Sequence, residues 1–286
     1  MRRGFAFVAL SAISIVPVYS QAHEHAPVLQ IGREAIKEGK GATHEKAEME
    51  FVRAFHKAKF PGHYIALTSM SGPGEVWFIS PYPSFATSEQ YQKETEKEPL
   101  KSEIEMAEEH DGAVRESSRS MWAVYRKDLS YRPGKFDPAK ARVISVGTFR
   151  VKLGKDEDFM NGAKMYIGAN EKANNDVPFL CYQVVAGAPN GTYLFFSAME
   201  SLKTMDETPA RQKAMMEAMG SENFAQFSKG TGDVFQFMDE NLFAVNPRMS
   251  YAPKEMEDAD PAFWKPKPVA KKAAEAAPKK EEKLAQ

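Results

Sequence analysis

Apolar and polar positions change their period in the same order twice along the chain. From Val28 to Lys37, and again from Val143 to Lys152, apolar residues are spaced as in a strand. A helical spacing follows. In the first stretch Phe51, Val52 and Phe55 form the apolar stripe and Thr43 is the expected N-cap. In the second, Phe159, Ala163, Tyr166 and Ile167 form the stripe and Asp156 is the expected cap. Two short apolar runs then flank a turn. Tyr64–Met70 and Val76–Ser80 surround Gly72-Pro73-Gly74; Tyr182–Ala186 and Thr192–Phe196 surround Pro189-Asn190-Gly191. A longer helical region comes next, interrupted by Pro99 or Pro209, and each half closes on a strand, Met121–Arg126 or Val234–Met238.

The two halves are copies. Val28-Leu29-Gln30-Ile31-Gly32 answers Val143-Ile144-Ser145-Val146-Gly147 at an offset of 115. Gly74 to Ser80 answers Gly191 to Ser197 at 117, and Ser130-Tyr131-Arg132-Pro133 answers Ser250-Tyr251-Ala252-Pro253 at 120. An offset that grows slowly and keeps its order is what small loop insertions leave after a duplication. Each copy reads β-α-β-β-α-β, the ferredoxin-like arrangement. Helices cover one face of such a sheet. Because the strands are apolar on both faces, the two open faces are expected to pack on each other, giving an α+β protein of two tandem ferredoxin-like units.

This order and duplication resemble the dimeric α/β-barrel superfamily, which includes antibiotic-biosynthesis-monooxygenase-like, NIPSNAP-like and stress-responsive barrel proteins. The resemblance runs from Val28 to about Pro253 and rests on no catalytic motif. It implies a barrel made sheet to sheet, and it admits cofactor-independent or haem-dependent oxygenases among the activities.

The ends differ from the body. Arg2-Arg3, the apolar Phe5 to Val18 and Ser20-Gln21-Ala22 read as a signal peptide over residues 1–22, so the mature protein is expected to be exported, periplasmic or extracellular. Arg2-Arg3-Gly4-Phe5 partly resembles a twin-arginine signal; ordinary secretion is favoured because the basic region is so short. The repeats are expected over 23–135 and 136–256, with a disordered Lys/Ala/Pro/Glu tail over 257–286 on which Phe263-Trp264 marks the last docking point. From Lys265 onward the tail holds seven Lys against three Glu, enough for weak contact with an anionic surface. With a formal net charge of −1 overall, the body between the basic ends is acidic, which argues against nucleic acid as a partner. No segment after residue 22 is apolar for long enough to be a transmembrane span. Cys181 is the sole cysteine and reads as core.

Catalytic motifs are absent, and no cofactor is demanded. All six histidines precede the second copy, so a histidine-based site can exist in the first copy alone. His110 lies on a helix beside Leu100, Ile104, Ala107 and Val114. Some relatives in the resembled superfamily bind haem through a helix histidine, so His110 is the haem candidate, with an edge histidine as the plainer reading. The strand aromatics Tyr64, Trp77, Trp122 and Tyr125 are candidates for the wall of an apolar pocket between the repeats that takes a small organic molecule; core packing explains each one equally. Arg33 and Arg126, charged in apolar strands, are candidates to orient an anionic or carbonyl group. Met215, Met216 and Met219, with Met199 and Met205, offer thioethers for Cu(I) or adaptable core filling. Cleavage after Ala22 would leave His23-Glu24-His25 as an amino-terminal Cu(II) or Ni(II) motif. Three functions follow: a binding protein for a small organic ligand, a monooxygenase-like enzyme, or a structural or interaction protein with a filled core.

Overall fold

The computed structural model describes residues 25–265. The signal-peptide reading, His23 and the chain beyond Lys265 lie outside the described residues.

The first repeat is β1 (Val28–Ile36), α1 (Gly41–Ala58), β2 (Tyr64–Ser69), β3 (Glu75–Tyr82), α2 (Phe85–Thr95), α3 (Leu100–Gly112) and β4 (Arg115–Tyr125). The second is β5 (Val143–Val151), α4 (Asp156–Lys172), β6 (Leu180–Ala186), β7 (Thr192–Met199), α5 (Thr208–Met219), α6 (Ser221–Val234) and β8 (Phe235–Tyr251). Every strand pairs antiparallel with its neighbours, and the strand order β1-β3-β2-β8-β5-β7-β6-β4 closes on itself. The sheets therefore do more than face each other. β2 bonds β8 and β4 bonds β6, so the repeats fuse into one barrel with no open edge. Ferredoxin-like units are thus present in tandem, as the repeat pattern predicts.

Strand alternation sorts the side chains into two layers. Leu29, Ile31, Leu67, Met121, Ile144, Val146, Leu194, Phe196 and Phe243 fill the barrel interior. Burying each large aliphatic or aromatic side chain of that set contributes roughly 1.5–3 kcal/mol. The opposite face of each strand lies under the helices.

Several boundaries differ from the sequence reading. Neither Thr43 nor Asp156 is a cap: α1 follows Lys40 and α4 follows Lys155, both without a side-chain capping bond. Asp156, Glu157 and Asp158 instead occupy the first turn of α4, where carboxylates favour the helix dipole. Pro209 opens α5 rather than interrupting it, because its missing N–H costs nothing in a first turn. The break falls at Gly220, whose φ of 82° a residue with a Cβ rarely adopts. Order also continues past residue 257. α7 (Lys254–Ala259) and α8 (Pro261–Trp264) lay Trp264, 4% exposed, against the barrel, with its indole N–H donating to Ala139 O at 2.8 Å. Arg142 pairs with Asp260 and stands 3.8 Å over the Phe263 ring. A tryptophan that can bury its ring and satisfy its N–H offsets the ordering entropy that the surrounding polar composition cannot.

Candidate functional site

The buried face of α1 begins as a polar face. His44, Ala47, Glu48 and Ala54 point at the sheet, and the spacing of His44 and Glu48, one helical turn apart, puts both side chains over β1. Glu34 meets them from the outer side of β1. Asp111, in the last turn of α3, completes the group, and Arg115, which opens β4 four residues later, reaches back to it.

The distances are short. His44 Nε2 is 3.0 Å from Glu34 Oε2, 3.3 Å from Asp111 Oδ1 and 3.8 Å from Glu48 Oε1. Arg115 Nη1 is 2.6 Å from Glu34 Oε1 and 2.9 Å from Asp111 Oδ2, and Nη2 donates to Glu108 at 3.1 Å. His44 is 1% exposed and Asp111 0%; Glu34 and Glu48 are also buried. Asp111 Oδ1 lies beside the His44 imidazole and Oδ2 beside the Arg115 guanidinium, yet neither receives a directed hydrogen bond. The Tyr64 hydroxyl, buried and without a partner, lies close enough to Glu48 to feel its charge.

Burial and charge act on these acids in different directions. Burial, then the charges of Glu34 and Asp111, push Glu48 up to about 9. Burial, then Glu34, push Asp111 up to about 6 against the pull of His44 and Arg115. Burial works to raise Glu34 too, but hydrogen bonds from His44 and Arg115, with their charges, hold it below the ordinary carboxylate value. Three carboxylates sharing a dry site with one guanidinium cannot all ionise unless another cation joins them.

A cleft of about 430 Å³ opens beside this group, at the seam of β2 and β8 outside the barrel. Its lining includes Gly41, Ala42 and His44 from the start of α1, Thr68 from β2, Gly74 beside β3, and Asn246 from β8. α1 has neither a side-chain cap nor an acid in its first turn. Its N-terminus therefore directs positive dipole toward the cleft, whose lining also carries Glu38, Glu45 and Glu75 beside Lys37.

The residues singled out from sequence are dispersed. Trp77 lies in the barrel interior and donates its indole N–H to Glu75 at 2.9 Å. Arg33 binds the same carboxylate at 2.6 Å and stands 4.3 Å over the Trp77 ring, while Arg119 takes the other oxygen at 2.9 Å, so these side chains close one end of the barrel. Tyr125 packs near the other end, 5.3 Å from Tyr182. Trp122 faces outward against Tyr82 and Phe85. The four aromatics thus do not share one wall, because alternation splits them between the layers. Tyr64 alone joins the buried group. Arg126 is held by Asp128 and Gln183. His110 is largely exposed and pairs with Glu50 at 2.7 Å, which raises its pKa. Met215 and Met219 pack against Ala169, as core filling predicts. His25 Nε2 is 2.7 Å from Pro133 O, and its ring meets Tyr125 and Phe136 edge-on. A metal motif that uses His25 has to draw it out of that packing.

Sequence reasoning passed over Glu34, His44, Glu48, Asp111 and Arg115. Their signals were present: a lone Glu in an apolar strand, a His and Glu at helical spacing, and the confinement of all histidines to one copy.

No family model and no curated protein matches the chain. Solved structures do. A candidate monooxygenase from Fusobacterium nucleatum subsp. nucleatum superposes with a TM-score of 0.51 at 11% identity, over 77% of this chain and 93% of its own. An anthrone oxidase-like protein gives 0.50 at 12% identity, over 79% and 93%. A mutant chlorite dismutase from Candidatus Nitrospira defluvii, complexed with cyanide, gives 0.46 at 10%, over 82% and 95%. At such identities the likeness extends to architecture and not to activity. By fold, then, the chain is a closed eight-stranded barrel that carries two ferredoxin-like halves in one polypeptide, an architecture similar to that of these solved structures.

Proposed function

We propose that the protein binds a compact organic anion in the cleft beside His44. The observation that carries this reading is the cleft itself: about 430 Å³, bounded by the uncapped start of α1 and ending on a buried ionisable group. That volume suits a small ligand. The α1 N-terminus favours a carboxylate or enolate oxygen, and Thr68 and Asn246 add polar groups to the lining. The signal-like residues 1–22 support an exported setting for this binding. The oxygenase alternative draws on the fold of the monooxygenase-like neighbours and uses the same cleft; dioxygen uptake on ligand addition separates it from simple binding.

Ala42 is exposed and lines the cleft, so Ala42→Trp obstructs it without entering the core. Ligand-observed NMR with a panel of small aliphatic and aromatic carboxylates should show binding to the wild type and its loss in Ala42→Trp, with the melting temperature unchanged. No carboxylate bound by the wild type, or binding that survives Ala42→Trp, overturns the reading.

A further inference from the structure

We propose that Glu34, His44, Glu48 and Asp111 form a divalent transition-metal site, with Mn(II) or Zn(II) as the fitting ions. One donor atom from each of the four residues lies within 4.8 Å of all the others. Metal–ligand bonds of about 2.0–2.2 Å place trans donors about 4.0–4.4 Å apart and tetrahedral donors about 3.3–3.6 Å apart, so the group contracts around an ion on binding it. The donors come from three separate elements, β1, α1 and α3, which fixes their directions independently of one another.

One observation beyond the clustering points to a ligand there. Asp111 is completely buried, and although Arg115 stands 2.9 Å from Oδ2 and His44 3.3 Å from Oδ1, neither oxygen accepts a directed hydrogen bond, which leaves both with acceptor capacity for an ion. With an ion bound, the charges of the donors match a dication. Glu34, Glu48 and Asp111 bring three carboxylates, and Arg115 supplies one guanidinium. A dication with a neutral His44 cancels the remaining two charges. One imidazole with three carboxylate oxygens is a donor set for borderline and hard ions, and the absence of thiolate and thioether among them disfavours Cu(I). Arg115 then acts as a positioning residue, orienting Glu34 and Asp111 through the oxygens the ion does not use. The site shares His44 with the cleft but stands without any organic ligand there.

The test uses the full exported chain, stripped with chelator, dialysed and titrated with Zn(II) by calorimetry, with Mn(II) by electron paramagnetic resonance and with Co(II) as an optical probe. The expected result is one equivalent bound per chain, a Co(II) spectrum of low-symmetry N/O coordination, and a rise in melting temperature on loading. His44→Gln and Asp111→Asn should each weaken binding by more than the ~10–100-fold that loss of an outer-shell partner costs. Arg115→Lys should weaken it less, and His25→Ala and Ala42→Trp should leave it unchanged. Glu48→Gln, an isosteric change, guards against variants that fail to fold. A folded wild type that binds no ion at millimolar concentration overturns the proposal. So does binding that survives both His44→Gln and Glu48→Gln, or binding lost only with His25→Ala. Failure of the cleft reading shows separately, as absence of carboxylate binding in a chain that still takes up metal.

Discussion

The same place in the two repeats is built from opposite materials. Under the helices of the first lie Glu34, His44 and Arg115. At the matching positions of the second lie Phe149 and Phe235, by strand register, and Phe159, by the 115-residue offset between the starts of α1 and α4. The match is set by pairing: Ile36 stands opposite Arg115 as Val151 stands opposite Phe235, and Glu34 opposite Val76 as Phe149 opposite Tyr193. Phe149 meets Phe235 at 5.4 Å, and Phe159 meets Tyr193 at 4.5 Å. The barrel end differs as well. Arg33 and Glu75 of the first repeat correspond to Thr148 and Thr192 of the second, and Thr192 is satisfied locally by Pro189 O. One copy shows that this layer closes with apolar rings. The other keeps a buried ionic group there instead, which by itself is weak evidence for stability and stronger evidence for a task.

The comparison can be broken from either side. Phe159 is 4% exposed among aromatic rings, so Phe159→Ala should cost about 3–5 kcal/mol in denaturant unfolding. Glu34→Ala should cost less, about 1–3 kcal/mol, because it removes the closest hydrogen-bond partner of Arg115 and His44 but leaves Asp111 to both. Transplanting the second repeat's solution gives a different result. Glu34→Phe, His44→Phe, Glu48→Ala, Asp111→Thr and Arg115→Phe together remove every charge of the group. The combined variant should lie within about 1–4 kcal/mol of the wild type, and on the stable side if packing relaxes. Its unfolding midpoint, set beside Glu34→Ala alone, measures what the charges cost when unpaired. A fivefold variant that does not fold would show the two layers are not interchangeable.

A smaller effect follows from Glu75. Burial works to raise its pKa, but hydrogen bonds from Arg33 and Trp77, with the charges of Arg33 and Arg119, lower it overall. A depressed folded-state pKa means that the unfolded chain takes up the proton first as pH falls. The stabilisation is therefore complete above the ordinary carboxylate range and is lost as pH drops through the folded value. Unfolding midpoints measured down a pH series should fall less steeply in Glu75→Gln, whose stability at neutral pH starts lower. The matching Thr192 has no such dependence. The smallest expected change is at Cys181, which occupies the place that Ala66 fills in the first repeat, opposite Phe195 as Ala66 is opposite Phe78. Cys181→Ala should cost about 1 kcal/mol. Its thiol, fully buried and with its pKa raised by burial, should react with a disulfide reagent only as fast as the chain opens.

Much of the fold is legible in the order of the residues, because strand and helix periods are local properties. The offsets from Val28/Val143 to Ser130/Ser250 locate both repeats, and the turn at Pro189-Asn190-Gly191 falls in the β6–β7 hairpin, with Gly191 at φ 78°. Local signals are weaker at the ends of elements. Thr43 has the chemistry of a cap, but the chain turns at Gly39 and enters the helix earlier. Tail composition hides Trp264, whose partner Ala139 lies 125 residues away.

Sequence by itself determined the duplication, the ferredoxin-like order and the presence of every histidine in one half, since each is written in spacing and residue type. Tertiary structure alone decided that the sheets close edge to edge, and which strand aromatics face inward. It alone gathered Glu34, His44, Glu48 and Asp111, whose donors sit on three elements spread over 78 positions of the chain yet within 4.8 Å in space. The physical reason is that periodicity reports one element's own geometry, whereas a site is the meeting of several elements, and only the packed barrel fixes where they meet.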